Sequence, residues 1–337
     1  MANTSRLERD LVPATFSLLT LFGVVGNLLV ILVILQSRRL RTRLNLFIVN
    51  IAVSDLIFTA LYGPVSAVSV ARSGGLRDHA VCVVTGIVGL LSCYESVLSA
   101  VLIAVSRCVR ITRSHRYDEL FSRKRCALLV SVSWVVAFLL TTPLLSGFGK
   151  PGFNPILLTC DYDILASFNY IVSIVLPLAI ICNVIIIVSY ALIYHKVKAS
   201  STRMRGKRTN SKEKKIPPIV LSQIKNMAAI YIAFNICVAP EVLMGIVTHK
   251  TGDSMRVLNL VARIVFTCNS CVNPIIYTAG NKEFRTELKT LWGHVFHGGQ
   301  KREPNVVERI SMKTLSLGEQ DTPQRFSSNS IVQETRL

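Results

Sequence analysis

Four formally charged residues lie within long apolar stretches of this sequence: Asp55, Glu95, Glu241 and Arg263. A charge inside such a stretch is costly, so each of the four is a candidate for a functional site. Glu241 and Arg263 flank one short polar connection, at depths of about 10 Å and about 9 Å if both stretches are helical. We therefore expect these two charges to pair. We expect Glu95, in its neutral form, to make a structural hydrogen bond to a neighbouring helix.

The pair of Glu241 and Arg263 supports two interpretations. It is either a structural salt bridge or a ligand anchor, since a desolvated guanidinium can hold a carboxylate through two parallel hydrogen bonds. In the second case Glu241 pairs with Arg263 until an acidic ligand replaces it. Gly89, Leu90 and Cys93 of the third apolar stretch are small or apolar, so we expect them to form another wall of the ligand pocket.

Asp55 has oxygen-bearing side chains available on two other stretches. Ser92 and Ser96 share a helical face at a spacing of four residues, and so do Asn269 and Asn273. One carboxylate with hydroxyl and amide oxygens suits a hard cation such as sodium. The alternative is a polar cluster filled with water.

The apolar stretches define the expected architecture. Each of the seven exceeds the ~20 residues that a helix needs to cross the hydrocarbon of a bilayer; they are 12–35, 46–70, 80–105, 127–148, 164–194, 227–248 and 257–280. The short alternating segments of a membrane barrel do not occur. The sequence therefore predicts an all-α membrane protein, a seven-transmembrane helix bundle.

Composition agrees with a membrane protein and predicts its orientation. The 337 residues are 51% hydrophobic and 17% charged, against about 25% charged in soluble domains, and they carry a net charge of +19. This excludes a disordered chain, a disulfide-knotted secreted domain and most cytosolic enzymes, and the charge does not indicate nucleic-acid binding. Loops on one side hold 30 Lys and Arg against 10 Asp and Glu, and loops on the other hold seven against six. By the positive-inside rule, the N-terminus is extracellular and the C-terminus cytoplasmic.

The predicted organisation has four parts. They are an extracellular N-terminus over 1–11, the bundle over 12–280, an amphipathic interfacial eighth helix over 281–296 and a disordered cytoplasmic tail over 297–337. The eighth helix follows from apolar residues that recur on one helical face. The strongly basic inner loop over 195–226 indicates contact with anionic lipid and with a cytoplasmic partner.

Three features concern the outer side and the last residues. Of nine cysteines, Cys82 and Cys160 lie on the oxidising side, which predicts a disulfide; two free thiols are the alternative. Asn3 begins a sequon for glycosylation. Thr335 and Leu337 fit the ending that binds a PDZ domain, although so short a pattern also arises by coincidence.

A family resemblance rests on the seven spans, on the Cys82/Cys160 pair and on the sequence Asn273-Pro274-Ile275-Ile276-Tyr277. The chain resembles a rhodopsin-like (class A) G-protein-coupled receptor over roughly residues 12–296. The resemblance implies a plasma-membrane receptor, not an enzyme, that binds an extracellular small molecule and activates a heterotrimeric G protein. It also implies arrestin binding through a phosphorylated tail. A seven-helix transporter is the alternative from another class.

The resemblance also assigns residues to roles. Sodium at Asp55, with Asn27 beside it, would stabilise the inactive state as a negative allosteric modulator. Coupling to the G protein would involve Ser106, Arg107, Cys108 and Tyr277. Ser106 stands where most relatives carry an acidic residue that restrains the arginine, so we expect measurable basal signalling.

The resemblance narrows the ligand as well. Thr267 stands where opsins carry their retinal lysine, and Gly89 stands where amine receptors carry an aspartate, so neither retinal nor an amine is expected. Thr267 remains a candidate ligand contact. The segment Leu40–Leu46 resembles the medium-chain fatty-acid receptor branch, which favours an acidic ligand, whereas Tyr117–Ser122 also resembles melatonin receptors, which favour a neutral indole.

Overall fold

The computed structural model describes residues 6–72, 78–206, 218–251 and 255–296. Seven of the described helices are long and apolar enough to cross a membrane, which confirms the predicted bundle. In chain order the helices are α1 (Arg6–Gln36), α2 (Arg43–Ala71), α3 (His79–Thr112), α4 (Ser114–Leu120), α5 (Arg123–Leu145), α6 (Phe168–Tyr170), α7 (Leu176–Gly206), α8 (Pro218–Thr251), α9 (Arg256–Gly280) and α10 (Lys282–Phe296). The short helix α6 and a π-helical turn (Ile171–Val175) run directly into α7 and complete the fifth crossing.

Capping side chains explain where three of the helices begin. Thr42, Asp78 and Ser122 each accept a hydrogen bond from the backbone N–H three residues further on, at 3.0–3.3 Å. Most helices extend beyond the predicted spans, since polar residues continue the helix outside the hydrocarbon. The crossing helix α3, for example, runs on to Thr112, and α8 already begins at Pro218. Two predicted ends were wrong, because α5 ends at Leu145 rather than 148 and α6 begins at Phe168 rather than 164.

A hairpin that the sequence did not predict fills the connection between α5 and α6. Strand β1 (Pro151–Asn154) pairs antiparallel with β2 (Thr159–Tyr162), and Phe153 stands opposite Cys160. Cys160 forms a disulfide with Cys82 near the start of α3, which confirms the predicted bridge. The hairpin is therefore fastened to the bundle at β2.

Gly86 allows β2 to lie directly on α3. A Cβ atom at Gly86 would stand 1.7 Å from the carbonyl oxygen of Asp161, so no other residue fits there without moving the strand. The disulfide and this close backbone contact together fix Asp161 at the end of the bundle that also carries Glu241 and Arg263.

The helix α10 agrees closely with the predicted eighth helix. Phe284 is buried, while Lys282, Glu283 and Lys289 on the same helix are exposed, as an amphipathic helix requires. The predictions for Asn3, for residues 207–217 of the basic inner loop and for the tail with Thr335 and Leu337 concern positions outside the described residues.

Candidate functional site

A cavity lies beneath β2, between α2, α3, α8 and α9, with further walls from the π-helical turn. Gly89, Leu90 and Cys93 line it, as the sequence predicted. About 70 Å³ is accessible to the centres of water molecules, enough for several waters or a small organic group, since about 10–15 Å³ of such space holds one water. The cavity is mostly apolar, which is typical of a small-molecule site.

Arg263 forms the charged wall of this cavity and contacts two carboxylates. Its Nη2 atom lies 2.7 Å from Glu241 Oε1, so the predicted pairing of these two residues is confirmed. The same Nη2 atom lies 2.8 Å from Asp161 Oδ2, although neither contact has the angles of a hydrogen bond. All three side chains are at least nine-tenths buried. The guanidinium is thus shared between α8 and the loop hairpin.

Asp161 is a charged residue of this cavity that was not predicted from the sequence. Its carboxylate accepts a hydrogen bond from the Tyr162 N–H at 2.5 Å and one from the Thr159 hydroxyl at 3.3 Å. Burial raises the pKa of Asp161 above its ordinary value, and Arg263 and these hydrogen bonds oppose that rise. One signal was present in the sequence, because Asp161 directly follows the cysteine that ties the loop to α3.

Aromatic rings surround the Arg263 guanidinium. The centroids of the Tyr62, Tyr162 and Phe266 rings lie 5.7–5.8 Å from its central carbon, within the range of cation–π attraction. Arg263 Nε and the Thr85 hydroxyl, both at the cavity, have no hydrogen-bond partner among the residues the structure describes. A polar group of a ligand would find two unused partners here.

Thr267 is not brought to this cavity. It lies one helical turn from Arg263 along α9, it is buried, and its hydroxyl donates to the Arg263 carbonyl oxygen at 2.9 Å. The residues lining the cavity on α9 are Arg263 and Phe266. Thr267 therefore has a local role within the helix, and its contact with a ligand stays a prediction.

Asp55 lies at the centre of a buried polar cluster. Its carboxylate accepts hydrogen bonds from Ser96 at 3.2 Å, from Ser270 at 3.1 Å and from Asn273 at 2.8 Å. Ser270 was not expected, although its position three residues before Asn273 places it on the same face of α9. Asn27 donates to the Ser270 carbonyl oxygen at 2.9 Å, which joins α1 to the cluster.

A small space adjoins the Asp55 carboxylate. Ser92, Ser96, Asn269 and Ser270 line it, and about 10 Å³ is accessible to water centres, room for about one water or ion. The buried Ser92 hydroxyl has no hydrogen-bond partner among the described residues. The donor set of one carboxylate with hydroxyl and amide oxygens fits a sodium ion.

Glu95 makes the predicted hydrogen bond to a neighbouring helix, and it joins α2 and α5 to its own helix α3. Its Oε1 atom accepts from Asn50 of α2, from Ser99 of α3 at 3.2 Å and from Ser133 of α5 at 2.6 Å. Trp134 donates to the Asn50 side-chain oxygen at 2.9 Å. Glu95 does not line the cavity at Arg263.

Arg107 lies buried in α3, toward the opposite end of the bundle from Arg263. The Ser106 hydroxyl donates to the Ile103 carbonyl oxygen at 2.9 Å, a bond within its own helix. Cys108 and Tyr277 are also buried, and Cys108 packs with Ile193 of α7. These four predicted coupling residues lie on α3 and α9.

Comparison with known proteins identifies the architecture. Residues 26–277 match the family model described as "7 transmembrane receptor (rhodopsin family)". The chain is 28% identical over 298 residues to melatonin receptor type 1B of Rattus norvegicus, covering 84% of this chain and 79% of that receptor. It is 29% identical to melatonin receptor type 1B-B of Danio rerio, covering 80% and 77%. The crystal structure of squid rhodopsin superimposes on this chain with a TM-score of 0.79 at 19% sequence identity. The match covers 96% of this chain and 94% of the rhodopsin chain, and it supports the fold.

Proposed function

This chain belongs to the rhodopsin family of seven-transmembrane receptors, and from that membership we propose that it responds to a small molecule without negative charge, bound beneath β2. The family consists of G-protein-coupled receptors rather than enzymes, which also decides against the transporter alternative. The chain is accordingly a multi-pass receptor of the plasma membrane.

The observation that carries the proposal is the sharing of Arg263 between Asp161 and Glu241. One guanidinium with two carboxylates has no positive charge left over: the cluster is neutral when one acid is protonated and negative when both are ionised. A ligand carboxylate would be a third acid at the same arginine, in surroundings where like charges repel strongly. The acidic ligand favoured by the fatty-acid resemblance therefore fits the site poorly.

The remaining features favour a flat, largely apolar ligand. Phe58 stacks on Tyr62 with ring centroids 4.9 Å apart, and Tyr162 and Phe266 also line the cavity. An indole presents an aromatic face to such rings and an N–H donor to Glu241 or Asp161. The similar receptors named above are melatonin receptors, which agrees with the neutral indole expected as the alternative.

The proposed mechanism starts at the contact between α8 and α9. A ligand donor that hydrogen-bonds to Glu241 weakens the hold of Arg263 on α8, so α8 becomes free to move. Movement of α8 then exposes the opposite end of the bundle, where Ser106, Arg107 and Cys108 of α3 contact the G protein. Tyr277 of α9 takes part in the same rearrangement.

We propose further that sodium binds beside Asp55 and stabilises the inactive state. The support is the unpartnered Ser92 hydroxyl next to a carboxylate that joins α2, α3 and α9. Four features stay predictions from the sequence: the extracellular N-terminus, glycosylation at Asn3, arrestin binding by a phosphorylated tail, and a PDZ partner at Thr335 and Leu337.

A panel of matched ligands tests the proposed chemistry. Neutral indoles, melatonin among them, and indole carboxylates of the same size are applied to cells that express the receptor with sensors for each G-protein class. We expect activation by neutral compounds, and we expect carboxylates to gain potency on Asp161→Asn. Asp163→Asn is the matched control, because Asp163 lies on the same loop and contacts only loop N–H groups in the described structure. A carboxylate more potent than its neutral partner on the unmodified receptor contradicts the proposal.

A further inference from the structure

A groove lies among α1, α2 and α5. It is at the end of the bundle where α1 ends and where α2 and α5 begin. It shares no residue with the cavity at Arg263. About 260 Å³ of it is accessible to water centres, several times the space at Arg263. Its walls combine apolar side chains with three arginines: Arg41, Arg43 and Arg123. Nothing in the proposed receptor mechanism uses these arginines.

The charged and apolar residues of the groove are ordered by depth. Arg43 and Arg123 are the first residues of α2 and α5, and Arg41 lies in the connection that precedes α2. Leu46 and Val49 follow along α2, about 5 Å and about 9 Å further into the bundle at 1.5 Å per residue. Positive charge therefore stands at the membrane surface, and the apolar wall extends from it toward the hydrocarbon.

The groove also faces outward from the bundle. The side chains of Leu35 and Leu46 are 53% and 36% exposed, so they contact lipid when the bundle lies in a membrane. Arg41 and Arg123 are exposed as well. This surface is therefore available to a molecule of the bilayer itself.

The charge balance favours an anionic group. Arg43 pairs with Asp118 at 2.7 Å, and among the described residues this is the one ion pair that involves any of the three arginines. Two positive charges remain after this pairing. A guanidinium binds phosphate oxygens through paired hydrogen bonds, and basic pockets between membrane helices bind anionic lipid head groups.

We propose that this groove binds an anionic glycerophospholipid, with its phosphate at Arg41 and Arg123 and one acyl chain along Leu35, Leu46 and Val49. The site is distinct from the ligand cavity and does not depend on the ligand proposed above. A soluble organic phosphate would use the arginines but not the apolar wall, so the two sources of phosphate can be distinguished by experiment.

The test counts lipids bound to the purified full-length receptor by native mass spectrometry. Phosphatidylglycerol and phosphatidylcholine with identical acyl chains are offered at equal concentration. We expect the receptor to retain phosphatidylglycerol preferentially, and we expect Arg41→Gln with Arg123→Gln to lower that preference by about five-fold for each arginine. Arg38→Gln with Arg39→Gln is the matched control, because these exposed arginines lie in the same connection but do not line the groove.

Two further measurements separate the acyl chain from the head group. Leu46→Trp fills the apolar part without changing any charge, so it should lower retention of phosphatidylglycerol as well. Glycerol phosphate alone should not displace the lipid. Three outcomes would each overturn the proposal. Equal losses in the two double-arginine variants would indicate diffuse attraction, and full retention in Leu46→Trp would mean that the apolar wall is not used. Displacement by glycerol phosphate would indicate a site for a soluble anion.

Discussion

Asp161 Oδ2 lies 2.8 Å from Arg263 Nη2, so a loop residue contacts the guanidinium that Glu241 also contacts from α8. The three charges form one unit that connects the hairpin, α8 and α9. Removing any one of them changes the charge that the other two experience. The first prediction follows from this dependence.

Removal of Glu241 and Arg263 together should be strongly destabilising, although it deletes a complete ion pair. The double variant Glu241→Gln with Arg263→Gln leaves Asp161 buried without its cation, which costs about 3–5 kcal/mol. Adding Asp161→Asn removes the stranded charge, so the triple variant should recover thermal stability and surface expression. A double variant as stable as the triple variant would show that Asp161 does not depend on Arg263.

Gly86→Ala should lower the unfolding temperature of the receptor and the potency of its agonists. The new methyl group would stand 1.7 Å from the Asp161 carbonyl, so β2 must shift, at a cost of about 1–3 kcal/mol. Gly89→Ala, one turn along the same helix and at the same cavity, is the control, because its Cβ would meet only ordinary contacts at 3.7–3.9 Å. Equal behaviour of the two variants in a thermal-shift assay would contradict this account.

Ser106→Asp should lower signalling in the absence of ligand. A carboxylate beside the buried Arg107 adds an ion pair that holds the inactive state; a net gain of about 1 kcal/mol would be roughly a five-fold change in population. Ser106→Asn is similar in size and uncharged, and should leave basal activity near that of the unmodified receptor. G-protein sensor output at equal surface expression measures the difference; unchanged output in the aspartate variant opposes the prediction.

Sodium should weaken agonist binding to the receptor, and Asp55→Asn should abolish this dependence. Agonist affinity measured in sodium chloride and in choline chloride gives the size of the effect. Ser92→Ala should reduce it, since it removes an oxygen from the small space at Asp55. Ser99→Ala is the control on the same helix, because its hydroxyl donates to Glu95 instead. Sodium dependence that persists in Asp55→Asn would exclude this site.

Local pattern was enough to predict the spans, the eighth helix, the disulfide and the pairing of Glu241 with Arg263. These depend on hydropathy, on the side of the membrane and on depth along a helix, all of which a sequence contains. The contact between Asp161 and Arg263 could not be predicted in the same way, because it requires the close approach of β2 to Gly86. Ser270 was missed, and Thr267 does not line the cavity, for a related reason, since helical phase decides which neighbours a side chain meets.

The hairpin has a kinetic consequence. Consecutive residues of β2 are attached to different helices, Cys160 covalently to α3 and Asp161 ionically to α9. A bound molecule can therefore leave past the strand only after the ionic attachment opens, since the covalent one persists. Affinity differences between related complexes arise mainly from dissociation rates. The strand should thus determine how long a neutral ligand stays bound, and a receptor with Asp161→Asn should release a neutral ligand sooner and end its signal earlier.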